Sequence, residues 1–251
     1  MTNGVGNSRA CVSIVLALAF GFAAAHGVQA QQARTAIWEI PFGTPASELP
    51  AEFRIRACGT NGGPPSTPLR SFEEFWRCPA EQETGLHEVW FSYDDEAEYY
   101  LRANRASPSF LRRYLANQEF DHLVVFSLLF DSEGRVQGHR IATDPRDDVE
   151  IREVSDEVGT ALKVGAYGAD GWSCTDLPRL DGEEPFGGET FVKTACEKLA
   201  DGRYITIETH RYLKAGQMAP GRGGAPTEGQ FEVGTWAEAI NADFVNNARL
   251  Q

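Results

Sequence analysis

One stretch of this chain is apolar on both parities. "HLVVFSLLF" (122–130) places Leu, Val or Phe at odd and even positions alike, the pattern of a central strand covered on both faces. "HEVWFSY" (87–93) and "EFRIRAC" (52–58) also read as strands. After the "DSEG" turn, "RVQGHRIAT" (135–143) predicts a more polar returning strand. Further on, "TFVKTACEKL" and "RYITIETHRYL" meet at "ADG", a hairpin signal, and "FEVGTWAEAI" predicts the last strand. "TAIWEIPFG" (35–43) predicts a short strand that Pro41 confines to an edge.

Helical signals lie between these strands. Ser71 and Glu74 form a capping-box pattern ahead of "FEEFWRC". Asp95, with Glu98 at N3, starts a helix in "DDEAEYYLRANR". Ser107-Pro108 starts another, with Phe110, Leu111, Tyr114 and Leu115 on one face. Asp144-Pro145 opens a longer one, in which Ile151, Val154, Val158 and Leu162 keep helical spacing. Residues 171–189 predict an irregular segment, and residues 214–230 a mobile loop.

Helices and strands are segregated, and neighbouring strands are hairpin-joined. The expectation is an α+β fold: a largely antiparallel sheet of about six strands, three to four helices and two disulfides. This layout resembles the helix-then-sheet units of small bacterial periplasmic proteins, among them the outer-membrane assembly lipoprotein and β-lactamase-inhibitor types. No motif accompanies the likeness, and no residue role is carried over from it.

The first thirty residues change the picture of where the chain works. Arg9 precedes an apolar run from Cys11 to Ala25, and Val28 and Ala30 sit at the −3 and −1 positions of a cleavage point. That is the layout of a secretory signal peptide, too short for a comfortable membrane span. The expected organisation is a signal peptide over 1–30 and a single exported domain over 31–251, periplasmic or secreted. No transmembrane segment is expected to survive cleavage.

The whole chain carries a formal charge of −13, and removal of Arg9 makes it −14. Nucleic acid is excluded as a partner, since phosphate binding needs a basic patch. A basic protein of the envelope, or a divalent cation, is electrostatically easier. Cys58, Cys78, Cys174 and Cys196 remain after cleavage. Export favours disulfides, and the pairing Cys58–Cys78 with Cys174–Cys196 brackets two Gly/Pro-rich segments. Each bridge contributes roughly 3 kcal/mol by loop closure. The rival, a four-thiolate metal site, lacks Cys-x-x-Cys spacing.

Strong catalytic signatures are missing. The chain has no Gly-x-Ser-x-Gly elbow, no His-Glu-x-x-His, no P-loop and no EF-hand loop. No cofactor or metal ligand set is expected, and no catalytic residue is assigned. The candidate binding residues are Asp94, Asp95, His139 and Arg140. If Phe130 faces Arg135 across the hairpin, His139 and His122 share one face and Arg140 points to the other. An arginine beside Leu123, Val125 and Leu129 needs an acidic partner, with Asp94, Glu96 or Glu208 in view. Trp172 beside Cys174, and Trp76 beside Cys78, predict core packing on the disulfides.

The expected function is a non-enzymatic binding or structural module, with a hydrophobic partner groove wherever helices leave "HLVVFSLLF" uncovered. Two alternatives stand beside it. One is a hydrolase-like enzyme using acids 94–98 with His139 and Arg140, which requires these side chains to converge. The other is a calcium-stabilised module using acidic loops such as "LDGEEPFGGE" (180–189).

Overall fold

The computed structural model describes residues 34–111, 115–147, 152–186, 188–220 and 226–245. The chain divides into two units, Met1–Arg34 and Thr35–Gln251, and the fold below is that of the second. The expected signal peptide lies outside the described residues.

The strands are β1 (Phe53–Cys58), β2 (Pro68–Leu69), β3 (His87–Tyr93), β4 (Gln118–Glu119), β5 (His122–Phe130), β6 (Val136–Thr143), β7 (Ser173–Asp176), β8 (Glu183–Glu184), β9 (Val192–Ala200), β10 (Arg203–Pro220) and β11 (Pro226–Asn241). Nine of them follow in the order β2-β1-β3-β5-β6-β11-β10-β9-β7, with β4 on β5 and β8 on β10. Every pairing is antiparallel. β5 and β6 lie in the interior of this order, as the doubly apolar pattern of β5 requires.

Helices are short: α1 (Glu96–Ala103), α2 (Pro108–Leu111) and α3 (Glu157–Ala161), the last running into a π-helical turn over Leu162–Ala166. Three 3-10 turns, Ile37–Glu39, Ala46–Glu48 and Phe72–Arg77, lie before β3. One face of the sheet is packed under these pieces. Phe53, Phe91 and Phe126 stack across β1, β3 and β5, with centroids 4.1 and 5.7 Å apart. Phe72 and Phe75 close over Phe130. At the far end, α3 presses Gly159 onto β10 and β11. A Cβ there would stand 2.5 Å from Thr209 Oγ1, and the Gly159 amide donates to Thr235 Oγ1 at 3.0 Å.

Several expectations are corrected. The sheet has eleven strands among the described residues, not six, and the fold is mostly sheet rather than strictly α+β. "TAIWEIPFG" forms a 3-10 turn over Ile37–Glu39 instead of a strand. "FEEFWR" is likewise 3-10, and Ser71 makes no capping bond. The irregular segment contains β7 and β8: Cys174 pairs directly opposite Cys196 and draws β7 onto β9, whereas β8 pairs with β10. The expected mobile loop continues the β10–β11 ladder to Pro220 and from Pro226. Of the helix expected at Asp144, residues 148–151 lie outside the described part. At its start, Asp144 Oδ1 accepts from the Arg146 amide in a turn.

The register of the β5–β6 hairpin is also corrected. His139 faces Leu128, Thr143 faces Val124, and a bulge separates the Leu129 and Phe130 pairings. Asp131 Oδ1 accepts from the amides of Glu133 and Arg135, which lengthens the turn and keeps Arg135 out of the ladder opposite Phe130. The slip at His139 is two residues, so side chains keep their faces.

Both expected disulfides are formed, Cys58–Cys78 and Cys174–Cys196. Trp76 does not pack on the first; it is 66% exposed. Trp172 packs against the core beside Tyr167. Among the described residues, no helix is long and apolar enough to cross a membrane.

Candidate ligand-binding face

The sheet face opposite the helices has a different character, and period-two alternation explains it. In β10, Ile205 and Ile207 turn to the helices while Tyr204, Thr206 and Glu208 turn away. In β11, Ala237 and Ala239 turn inward, opposite Ile141 and His139, leaving Trp236 and Glu238 on the second face. The hydrophobic groove expected there is not formed. Val125 and Leu129 of β5 are buried on this face, Leu129 beneath Leu86, Tyr204, Ile240 and Val245, and Arg140, Glu88 and Glu238 share it with Trp90, Ala142 and Trp236.

Arg140 stands at its centre, opposite Glu238 and Ser127. Its partners are not the expected Asp94, Glu96 or Glu208. Nε donates to Glu238 Oε2 at 2.6 Å, Nη1 to Glu88 Oε2 at 3.0 Å and to Glu81, and Nη2 to Glu81 Oε2 at 3.1 Å. Arg140, Glu88 and Glu238 are each at most 6% exposed. Burial by itself lowers the Arg140 pKa. The contacts to Glu81, Glu238 and Glu88 outweigh it and raise the pKa above its ordinary value, so the guanidinium stays charged.

Three carboxylates surround this one cation. Glu88 Oε2 also accepts from the Asn61 amide at 2.7 Å, whereas Oε1 accepts no hydrogen bond among the described residues. The loop after β1 makes room for this carboxylate. A Cβ on Gly59 would fall 2.5 Å from Glu88 Oε1, so only glycine admits it.

Beside the cluster lie two hollows that share Asn61 and Trp236. One, of about 260 Å³, is lined by Glu81, Glu83, Arg140 and Glu238 among others. The other, of about 660 Å³, runs over Thr206 and Glu208 of β10, Glu197 of β9 and Ser173 and Thr175 of β7. Trp236 Nε1 donates to Asn61 Oδ1 at 3.1 Å, and the Arg140 guanidinium lies 5.8 Å from the indole centroid. Tyr204 donates its hydroxyl proton to Glu197 Oε2 at 2.7 Å. The Glu208 pKa is lowered by its hydrogen bond from His210, so it is ionised at neutral pH. Among the described residues, five glutamates and one arginine thus line the two hollows.

The four sequence-predicted residues do not converge. His139 lies on the helix-covered face, 1% exposed, with Nε2 hydrogen-bonded to the Tyr167 hydroxyl at 2.9 Å. Burial, and secondarily Arg203, lower its pKa to about 3. Burial likewise raises that of Tyr167. The pair is therefore neutral. Asp94 follows β3, where Oδ1 accepts from the Glu96 amide and Oδ2 from Arg54 Nε, both at 3.0 Å. These two contacts, in that order, lower its pKa. Asp95 precedes α1 without a side-chain capping bond. Of the four, Arg140 alone lies at the groove.

In the "LDGEEPFGGE" loop, Lys193 occupies both oxygens of Glu183, at 2.8 and 3.0 Å. Among the described residues, no group of three His, Cys, Asp or Glu is arranged to hold a metal ion. No protein-family model, curated protein or solved structure matches this chain.

Proposed function

We propose that this chain is an exported, non-enzymatic binding module of the bacterial envelope, and that its helix-free sheet face takes a basic segment of a partner protein. The observation carrying this reading is the charge imbalance around Trp236: five groove glutamates against one arginine, whose donors are already engaged by Glu81, Glu88 and Glu238. A lysine or arginine side chain entering there meets a net excess of carboxylate charge and an indole face suited to cations. Two formed disulfides support export. The separation of His139 from Arg140 favours binding over the hydrolase alternative, which needs both in one site.

Calorimetric titration tests the reading with a short peptide of alternating lysine and serine, against its glutamate counterpart. The lysine peptide is expected to bind, more weakly as salt is added. Replacing Glu197 and Glu208 together by glutamine should weaken binding by about tenfold, or roughly 1.4 kcal/mol. No binding, or equal binding of both peptides, overturns it.

A further inference from the structure

The two disulfides stand in different surroundings. Cys58 and Cys78 are both buried, at 1% and 2% exposure. Cys174 belongs to β7, an edge strand exposed at all four positions, while its partner Cys196 is 4% exposed. Lys163, on the π-helical turn after α3, places Nζ 3.6 Å from Cys196 Sγ. An ammonium beside sulfur stabilises the thiolate. Exchange is fastest when the attacked sulfur is accessible and the departing sulfur is the better anion. Both conditions are met here, with the roles assigned by position: Cys174 outside, Cys196 inside beside its cation.

We propose that Cys174–Cys196 is a thiol–disulfide exchange site, acted on by an external dithiol protein of the oxidoreductase class. A thiolate of that protein attacks Cys174 Sγ and forms a mixed disulfide. The Cys174–Cys196 bond breaks, and its electron pair goes to Cys196 Sγ beside Lys163. The second thiol of the dithiol, deprotonated, then attacks the first dithiol sulfur, now bonded to Cys174, closes the dithiol's own disulfide and releases Cys174 as a thiolate. The dithiol has lost two electrons and two protons, which the two cysteines take up. The reverse sequence forms the bond.

The exchange has a consequence for the groove. Ser173 and Thr175, on either side of Cys174, line it together with Cys196. Reduction removes the covalent tie between β7 and β9, leaving a four-residue ladder and the Thr194–Asp176 hydrogen bond, and loosens that wall. This consequence rests on the groove being a binding site; the exchange chemistry does not.

The test is reduction of the folded protein by a thioredoxin-type dithiol, quenched with an alkylating reagent and read cysteine by cysteine by mass spectrometry. Cys174 and Cys196 should be labelled at least about tenfold faster than Cys58 and Cys78, since access governs attack. A reductant lacking its second cysteine should be trapped on Cys174. Lys163→Met should slow the reaction by about threefold, the effect of a leaving thiol about one pKa unit more basic, with circular dichroism unchanged. Equal labelling of both pairs, trapping on Cys196, or an unaltered rate in the variant overturns the proposal. Selective reduction with unaltered lysine-peptide affinity retains the exchange site and overturns its control of the groove.

Discussion

His139 and Arg140 are consecutive residues of β6, and they show how the two faces of one sheet solve the same problem differently. On the helix-covered face, His139 is buried without a counter-charge, and the solution is neutrality: it shares a hydrogen bond with Tyr167 and takes up no second ring proton at ordinary pH. On the opposite face, Arg140 is buried almost as deeply, and the solution is ion pairing with Glu81, Glu88 and Glu238. Guanidinium does not give up its proton in proteins, so only the second solution is open to it. The first face is a packed aromatic core. The second is a charged floor with open hollows beside it.

The comparison breaks first at Arg140. Arg140→Met removes the guanidinium charge from among three carboxylates and should destabilise the fold by about 3–5 kcal/mol in urea unfolding. Arg140→Lys should cost less, since it keeps the charge but not the fork. A change near zero for Arg140→Met would show that the cluster is not a buried charged unit.

A smaller effect is expected at His139, and its sign follows from the lowered pKa. The unfolded chain takes up a proton below about pH 6.5, whereas the folded chain resists until about 3. Stability at neutral pH is therefore lost as pH falls through that window, by at most about 1.4 kcal/mol per unit. Between pH 6.5 and 5, above most carboxylate titration, His139→Met should flatten the wild-type decline. Equal slopes in the two proteins would contradict the neutral buried pair.

Trp236→Ala should have the smallest effect on stability, about 1 kcal/mol, because the indole is only half-buried. Its effect on lysine-peptide affinity should be larger, roughly 2 kcal/mol, as for an aromatic anchor. Loss of stability with no loss of affinity would place Trp236 with the scaffold rather than the site.

Much of the fold is legible from alternation. β3 and β5 have the predicted bounds, the hairpins between β5 and β6 and between β9 and β10 are where turn residues place them, and both cysteine pairs are as spacing suggests. What is not legible is local. The turn at Asp131 adds residues through side-chain bonds that spacing does not reveal, and so moves the register. β7 is too short and exposed to carry a periodic signal; pairing with β9 creates it.

The site is half legible. The need of Arg140 for an acidic partner follows from its place in an apolar hairpin, but the partners come from 52, 59 and 98 residues away. One signal for them was present. Glu88, second in "HEVWFSY", and Glu238, between alanines in "TWAEAI", are charged residues within strand patterns that are otherwise largely apolar. Glu88, Arg140 and Glu238, on three strands, point to a shared cluster. Glu81 lies outside any strand and carries no such mark.

The most direct test of the division between faces is an NMR titration of the folded protein with the lysine–serine peptide. The account predicts shifts in the Trp236 indole N–H and in the amides of Thr175, Thr206 and Glu208, with His139, Tyr167 and Gly159 unmoved. Shifts centred on α3 and the helix-covered face, with Trp236 unchanged, would contradict it.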